Sequence, residues 1–516
     1  MSYTDSFSLG RQLEVSGEEL QEWLATTSDL LKQHVDSLAE QPSWNTENVD
    51  SILSGMDLSV SSHGKSFQAV VNQLFEEIIP CSFNTAGPGY LAYVPGGGVV
   101  HSAIADLISN VTNRYVGVWA AAPILATIES TVIRWFCNLF DYPDSSGGFL
   151  TSGGSLANWT ALVTARVKLL GEDFLDGVIY ATDQTHHCVF KAARLSGIPK
   201  RNLRLISTDR HFRMRTEELA EAVGKDRESG LRPFFVAANG GSTNTGSVDP
   251  LREIGGFCRA EKIWMHVDAA YGGFFILTES GRQLLDGIEM SDSIALDPHK
   301  GLFLPYGTGS LLVRQQNDLK DAHQIDADYM PARQVQPDRM DFNEISPELS
   351  RDNRGLRVWL PLQLCGTAAF QANLEEKLAL TAWMHGQLEI LSSQIDGEIE
   401  FPAVPQLSIL AFRWRPNLAF EPGYARSTEN TRGDDVDRSP KKNQVESDVD
   451  AWNQQLLERI NSKKRVYLSS TRIRNQFVLR ICVLSFRTHI GEMAECLEMI
   501  RQSINELALQ VENGIQ

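Results

Sequence analysis

The segment KIWMHVDAAYGG, residues 262–273, is an apolar run that ends in Asp268 and then gives way to small residues. Helix-like segments such as LANWTALVTARVKLL and LREIGGFCRAEK lie between several runs of this kind. The other four runs are GGFLTS (147–152), DGVIYAT (176–182), RPFFVAAN (232–239) and DSIALD (292–297). Strands that alternate with helices predict an α/β fold with a large, doubly wound, mostly parallel sheet.

The pattern changes on both sides of this region. Residues 1–80 are amphipathic and helical, and Ser16 with Glu19 three residues later predicts a capping box. Strand-like runs and a terminal helix near the end predict a small α+β domain. The predicted division is an N-terminal helical segment (1–100), a large α/β domain (101–390) and a small domain (391–516) with a polar solvent loop at 425–450.

Composition narrows the class of protein. The 516 residues carry 47 Lys+Arg and 65 Asp+Glu, a net charge of −18, which disfavours binding to nucleic acid or to anionic membranes. The longest apolar stretch, 116–128, is too short to span a bilayer, and no signal peptide is expected. Seven scattered cysteines without a C-x-x-C pair favour a reducing compartment. We therefore expect a cytoplasmic enzyme.

Polar segments follow the five predicted strands, and the carboxyl ends of parallel strands face one crevice. These segments are TSGGS (151–155), DQTHH (183–187), NGGSTN (239–244), HVDAAYGG (266–273) and DPHKG (297–301). Gly153 and Gly154 permit close backbone approach, and Ser155 would open the next helix, where free N–H groups suit a phosphate. A plain turn with Ser155 as N-cap is the alternative.

Lys300 and Asp268 are the other chemical candidates. Singly, Lys300 could be a surface lysine, and Asp268 could cap a helix or form a structural ion pair. Together with a phosphate turn they match pyridoxal phosphate, which needs a lysine, an acidic partner for its pyridine nitrogen and an anion site. His186 and His187 are adjacent and would point about 100° apart on a helix, so we expect no metal site.

The ordered motifs TSGGSLAN, DQTHHCVFKAARLSGIP, NTGSVDPL, HVDAAYGG and DPHKG resemble the group II pyridoxal-phosphate-dependent decarboxylases. This is the family of aromatic-L-amino-acid, histidine and glutamate decarboxylases, and the similarity covers roughly residues 75–500. The resemblance implies fold type I, pyridoxal 5'-phosphate as the cofactor, and a homodimer with the active site at the subunit interface.

The resemblance also implies residue roles. Lys300 matches the Schiff-base lysine, Asp268 the partner of the pyridine nitrogen, and His186 the ring that stacks on the cofactor. The implied cofactor-binding set is Lys300, Asp268, His186, Gly154, Ser155, Ser242, Thr243 and His299. His187 falls where the family often has a small residue, and we assign it no role.

Residues 318–342 are polar with little periodicity, which predicts a loop. In the family this loop covers the partner's site, and its tyrosine protonates the α-carbon of the quinonoid intermediate; Tyr329 matches that position. Without the family, Tyr329 would equally well be a loop aromatic packed on the surface. Related aldehyde synthases carry phenylalanine there and consume oxygen, so Tyr329 favours simple decarboxylation.

The substrate is less well specified. In AGPGYLAYVPGGG (86–98), Tyr90, Tyr93 and Pro95 match the lining of the substrate pocket. Four positions depart from the aromatic decarboxylases: Thr85 and Val118 replace aromatic residues, Asp297 replaces asparagine, and Gly301 replaces tryptophan. The predicted reaction is decarboxylation of an L-amino acid, aromatic as first choice, to its amine and CO₂. Glutamate or diaminobutyrate as substrate, oxidative deamination, transamination and a non-catalytic binding role are the alternatives.

Overall fold

The structure is a computed structural model that describes residues 13–324, 339–417 and 440–512. Its large sheet has seven strands in spatial order β1-β7-β6-β5-β4-β2-β3. In chain order these are β1 (Gly147–Thr151), β2 (Gly177–Thr182), β3 (Leu203–Ile206), β4 (Arg232–Asn239), β5 (Trp264–Asp268), β6 (Ser293–Leu296) and β7 (Gly309–Val313). Within this sheet β7 runs opposite to the other six strands, so it pairs antiparallel with both β1 and β6, and all other pairs are parallel. The predicted mostly parallel sheet is confirmed, and the five apolar runs form β1, β2, β4, β5 and β6.

Both faces of the large sheet are covered. Successive residues of one strand enter different clusters: Tyr180 and Val236 pack into one, Ile179 and Phe235 into the other. Because strand side chains alternate between faces, each strand must be apolar on both sides, and this explains the unbroken apolar runs.

Helices surround the sheet and precede it in the chain. The α-helices are α1 (Gly17–Asp36), α2 (Val49–Gly55), α3 (Phe67–Gln73), α4 (Val100–Thr112), α5 (Pro123–Leu139), α6 (Gly154–Leu170), α7 (His187–Leu195), α8 (Thr216–Glu228), α9 (Leu251–Glu261), α10 (Glu279–Leu284), α11 (Pro298–Gly301), α12 (Gln316–His323), α13 (Phe342–Ile345), α14 (Arg354–Ser392), α15 (Pro440–Ser462) and α16 (Ile490–Glu512). Gly366, at φ 70°, interrupts α14 and lets the chain turn there. Among the described residues, no helix is both long enough and apolar enough to cross a membrane.

The C-terminal part has its own antiparallel sheet, in the order β10-β11-β9-β8. Its strands are β8 (Glu398–Glu400), β9 (Ile409–Arg415), β10 (Ser469–Ile473) and β11 (Gln476–Cys482). A separate apolar cluster joins this sheet to helices α14, α15 and α16 through residues such as Leu388, Leu456 and Met493. The α+β character is as expected, while the exact limits of the three domains stay a prediction.

The N-terminal helices confirm one local prediction and add a new fact. Ser16 Oγ accepts the Glu19 N–H at 3.1 Å, and Glu19 Oε2 accepts the Ser16 N–H at 2.9 Å, which completes the capping box. However, α1 and α2 bury no side chain at all, and α3 buries only Val71. This segment therefore packs weakly on its own chain.

The predicted polar loop at 425–450 is wrong over its last part, because α15 begins at Pro440. The polar side chains there are ion-pair partners of the small sheet: Arg413 contacts Glu446 at 3.0 Å and Asp450 at 3.3 Å. Val449 between them is fully buried. The ion pairs and the buried valine lie on one face of the helix and hold this polar stretch against the small sheet.

The predicted loop at 318–342 is also wrong at its start, since α12 continues to His323. Leu319 is fully buried, and Asp318 pairs with Lys168 of α6 at 2.8 Å. These two contacts anchor the helix to α6. Tyr329 and the rest of 325–338 lie outside the described residues.

Candidate active site

The carboxyl ends of β1, β2, β4, β5 and β6 meet at one edge of the large sheet, around a cavity of about 300 Å³. All five predicted polar segments contribute to its wall. The predicted cofactor-binding residues that line it are Gly154, Ser155, His186, Ser242, Thr243, Asp268, His299 and Lys300, the complete set.

Lys300 extends into this cavity from the short helix α11. Its Nζ lies 2.9 Å from Asp297 Oδ2. Burial lowers the pKa of Lys300, but the charge and hydrogen bond of Asp297, with the charge of Asp268, outweigh burial and leave the pKa above its ordinary value. The amine is therefore a cation unless a proton acceptor takes up its proton.

Asp268 ends strand β5 and also lines this cavity. Its Oδ1 accepts the Ala270 N–H at 3.2 Å, and its Oδ2 accepts Asn158 Nδ2 at 3.2 Å. Burial raises the pKa of Asp268, and the charge of Lys300 and these two hydrogen bonds offset burial only in part. A cation brought beside Asp268 would complete the stabilisation of its charge.

The turn from β1 into α6 forms a third wall. The N–H groups of Gly154 and Ser155 belong to the first turn of the helix, where they have no partner within the helix. A Cβ atom at Gly154 would lie 3.0 Å from Ala270 Cβ and 3.2 Å from Asp297 Oδ2, so close packing requires glycine there. The dipole of the 17-residue helix and its free donors favour an anion at this point.

The two histidines of the cavity are neutral near pH 7. Burial, with a smaller effect of His187 and Lys300, lowers the pKa of His186 to about 4, and its Nδ1 accepts the Cys188 N–H at 3.4 Å. His299 Nδ1 donates to the Thr308 carbonyl at 2.7 Å, and burial lowers the pKa of His299 as well. Both rings are thus fixed in orientation without adding charge.

The β4 loop supplies Ser242 and Thr243. Ser242 Oγ lies 2.8 Å from Thr245 Oγ1 and 3.0 Å from Ser247 Oγ, so this hydroxyl belongs to a small cluster of hydroxyls. The carbonyl of Thr243 accepts a hydrogen bond from Arg480.

Arg480 is a residue that sequence reasoning missed. Its buried guanidinium also donates to Asn244 O at 3.1 Å, Ser469 Oγ at 3.0 Å and Tyr93 O at 3.3 Å. It therefore ties the small domain to the rim of the cavity. A charged residue within the apolar run FVLRICV of β11 was the available signal.

The predicted substrate residues are not among the residues that line this cavity. Tyr90 is buried and stacks on Tyr467, with ring centroids 5.9 Å apart. Tyr93 is 55% exposed at φ 52°, and Pro95 is buried. Their role in substrate binding stays a prediction.

One group of possible metal ligands occurs in the described part of the chain, namely His186, Cys188 and Asp268, with ligand atoms within 4.8 Å of one another. Burial raises the pKa of the Cys188 thiol, which disfavours the thiolate that binds metals. Asp268 is already engaged by two donors. The chemistry of this set does not favour a metal.

A lysine, a buried carboxylate and an anion-binding turn around one cavity are the parts that a pyridoxal-phosphate enzyme of fold type I requires. Residues 50–415 match the pyridoxal-dependent decarboxylase conserved domain, and the chain belongs to this family. It is a pyridoxal-phosphate-dependent amino-acid decarboxylase.

Similar proteins agree with this assignment. The chain is 31% identical over 503 residues to an aromatic-L-amino-acid decarboxylase of Bacillus atrophaeus, covering 97% of this chain and 98% of that protein. It is 25% identical to a phenylacetaldehyde synthase of Arabidopsis thaliana, covering 96% and 95%. The crystal structure of Oryza sativa TDC with PLP and tryptamine matches 96% of this chain and 99% of that chain, with TM-score 0.84 and 25% identity.

Proposed function

We propose that this protein removes the α-carboxylate of an aromatic L-amino acid to give the amine and CO₂. The observation that carries the proposal is the convergence of Lys300, Asp268 and the Gly154–Ser155 turn on one cavity. The similarity to aromatic-L-amino-acid decarboxylases supports the aromatic class of substrate. Thr85 and Val118 stand where that class has aromatic residues, so we expect a substrate pocket that is less aromatic than usual.

The role that we propose for each residue follows from its charge. Bound pyridoxal phosphate supplies an electron-accepting ring that stabilises the charge left on the α-carbon when CO₂ departs. Lys300 Nζ would hold the aldehyde end, and Asp297 Oδ2, 2.9 Å away, accepts a hydrogen bond from that amine. The N–H groups of Gly154 and Ser155 hold the phosphate. Asp268 keeps the pyridine nitrogen protonated through its negative charge.

The neutral ring of His186, which lines the cavity, would stack on the cofactor ring. A neutral imidazole adds no positive charge beside an electron-poor ring, and its orientation is fixed by the Cys188 N–H. Thr243 and Ser242 stand at the wall formed by the β4 loop. His299, fixed by Thr308, supports the side of the cavity that contains Asp297.

Tyr329 is the proposed proton donor to the α-carbon after CO₂ has left. Replacement by phenylalanine should slow amine release and divert product to the aldehyde, with consumption of oxygen. The similarity to a phenylacetaldehyde synthase makes this second activity the relevant alternative. Equal amine rates for Tyr329→Phe and wild type would remove Tyr329 from the mechanism.

A homodimer is proposed as the functional unit. Helix α4 exposes an apolar face, with Ile104 47%, Ile108 48% and Val111 58% exposed, and α1 buries no side chain on its own chain. Exposed apolar side chains grouped on one helix face mark an interaction surface, which supports an interface between subunits here. A reducing cytoplasmic location is also proposed, supported by seven cysteines that are all free thiols.

The test of the function combines spectrum and product. Reconstitution with pyridoxal phosphate should give a yellow protein, and Lys300→Ala should lose both the visible band and CO₂ release. Lys191→Ala on the exposed side of α7 is the matched control and should keep both. Amine release should be measured across the twenty amino acids, dihydroxyphenylalanine and 5-hydroxytryptophan. A colourless reconstituted wild type would overturn the proposal, and release only from acidic substrates would overturn the aromatic assignment.

A further inference from the structure

A chain of buried side chains leads from Asp268 into the interior of the large sheet. Asn158 Nδ2 lies 3.2 Å from Asp268 Oδ2, and Asn158 Oδ1 lies 2.7 Å from His266 Nε2. His266 Nδ1 lies 2.8 Å from Ser293 Oγ, which is also 2.8 Å from Trp264 Nε1. His266 and Ser293 are fully buried, so water does not compete for these bonds.

The direction of each hydrogen bond can be assigned from the cavity inward. Asn158 Nδ2 lies 2.8 Å from the Gly154 carbonyl as well as beside Asp268, and both neighbours only accept. The amide NH₂ must therefore face them, which turns Oδ1 toward His266. His266 Nε2 must then carry a proton and donate it to Asn158.

The hydrogen bonds at the Trp264 end of this network can be assigned in the same way. Burial lowers the pKa of His266 to about 3, so the ring is neutral and its Nδ1 is an acceptor. Ser293 Oγ therefore donates to His266 and accepts the Trp264 indole N–H, which can only donate. Every polar atom along the chain has a compatible partner, and a single orientation of Asn158 satisfies them all.

We propose that His266 and Ser293 are positioning residues, which hold Asn158 so that its amide NH₂ donates to Asp268. This inference rests on the proposed role of Asp268 as partner of the pyridine nitrogen. Without the Ser293 hydroxyl, the His266 proton can move to Nδ1 and leave Nε2 as an acceptor. Asn158 Oδ1 would then face a lone pair instead of a donor, so the amide would be held less firmly and its NH₂ would donate more weakly to Asp268.

This change at Asn158 would affect the proton that Asp268 shares with the pyridine nitrogen of the cofactor. A carboxylate whose hydrogen-bond donor is weakened becomes more basic. The proton would then shift from the pyridine nitrogen toward Asp268. The other ionisable groups around Asp268 are Lys300, Asp297, His186 and Cys188, and none of them changes in this comparison.

The test measures the ring nitrogen directly. Ser293→Ala is reconstituted with pyridoxal phosphate labelled with ¹⁵N in the ring, and its NMR signal is recorded across pH 6 to 9. Wild type should give the signal of a protonated pyridine. Ser293→Ala should move toward the unprotonated position and bind the cofactor about tenfold more weakly, which corresponds to about 1.4 kcal/mol.

Three further variants separate positioning from simple loss of structure. Ser291→Ala removes an equally buried serine hydroxyl that contacts Tyr142 and the Ile288 carbonyl, and it should keep the wild-type signal. Ser293→Thr retains a hydroxyl and should restore the signal. His266→Leu removes both ring nitrogens and should reproduce Ser293→Ala, which keeps the test available if the alanine variant does not fold.

The outcomes are distinguishable. If Ser293→Ala and His266→Leu keep a protonated ring nitrogen while only their thermal stability falls, the positioning role is overturned and the proposed function stands. If the wild-type ring nitrogen itself lacks a proton, the role of Asp268 is overturned together with this inference.

Discussion

Asp297 stands where the family usually has asparagine, and its two oxygens have different surroundings. Oδ2 contacts Lys300 at 2.9 Å, while the buried Oδ1 has no hydrogen-bond partner among the described residues. The negative charge of Asp297 therefore acts mainly on Lys300, and it raises the pKa of that amine. Replacing the carboxylate by the isosteric amide isolates this effect.

Asp297→Asn should lower the pKa of Lys300, because the charge that favours the ammonium form is gone. The free amine is the nucleophile, so the pH at which cofactor capture reaches half its maximal rate should fall by about one to three units. Stopped-flow absorbance across pH 6 to 10 measures this midpoint.

Asp292→Asn is the matched control, since its carboxylate accepts the Met265 N–H at the far end of β6, away from the cavity. It should leave the midpoint of capture unchanged. An unchanged midpoint in Asp297→Asn would show that Asp297 does not govern Lys300.

The residues of the site differ in how far sequence could predict them. Lys300, Asp268 and the Gly154–Ser155 turn follow directly from the rule that ligands bind at the carboxyl ends of parallel strands. The roles of Asn158 and His266 could not be predicted in this way, because their hydrogen bond joins residues 108 positions apart. The available signal was the period of two that places Trp264, His266 and Asp268 on one face of β5.

At the scale of elements, apolar periodicity predicted strands and helices wherever burial decides the conformation. It failed for α15, whose polar residues are ordered by arginines of β9 about 30 positions earlier, such as the Arg413–Glu446 pair. It failed at the start of α12 because one buried leucine and one ion pair hold that helix. Ion pairs between residues that are far apart in the sequence produce no periodic pattern in it.

A buried ion pair fixes helix α5 to the segment that precedes α14. Arg351 Nη1 lies 2.8 Å from Glu129 Oε1, with both side chains almost fully buried, and both residues also bond to Leu150 of β1. Glu129→Gln leaves the Arg351 charge uncompensated in the interior. We expect a loss of about 3–5 kcal/mol in the free energy of unfolding, measured by urea titration at a fixed protein concentration.

Glu506→Gln provides the comparison, because Glu506 forms pairs with Lys463 and Arg459 in which all three side chains are partly exposed. The same chemical change there should cost less than about 1 kcal/mol. Equal losses for the two variants would contradict a special contribution of the buried pair.

At the scale of the whole molecule, helix α4 exposes an apolar face, and the N-terminal helices α1 and α2 bury no side chain on their own chain. Exposed Ile104, Ile108 and Val111 recur at helical spacing, so they form a stripe rather than scattered contacts. Association of two chains through such a stripe would remove it from water. This predicts that the oligomeric state depends on α4.

Ile108→Glu should weaken association, because the dimer would have to bury a carboxylate without a partner. We expect the dissociation constant of the dimer to rise at least about tenfold, measured by analytical ultracentrifugation. Leu195→Glu, the same change on an exposed side chain of α7, should leave it unaltered. If the site is completed by the partner's loop, decarboxylation should fall in proportion to the dimer fraction while Lys300 still captures the cofactor. A fully active monomer would separate the site from the interface, because each chain would then supply every group that the reaction needs.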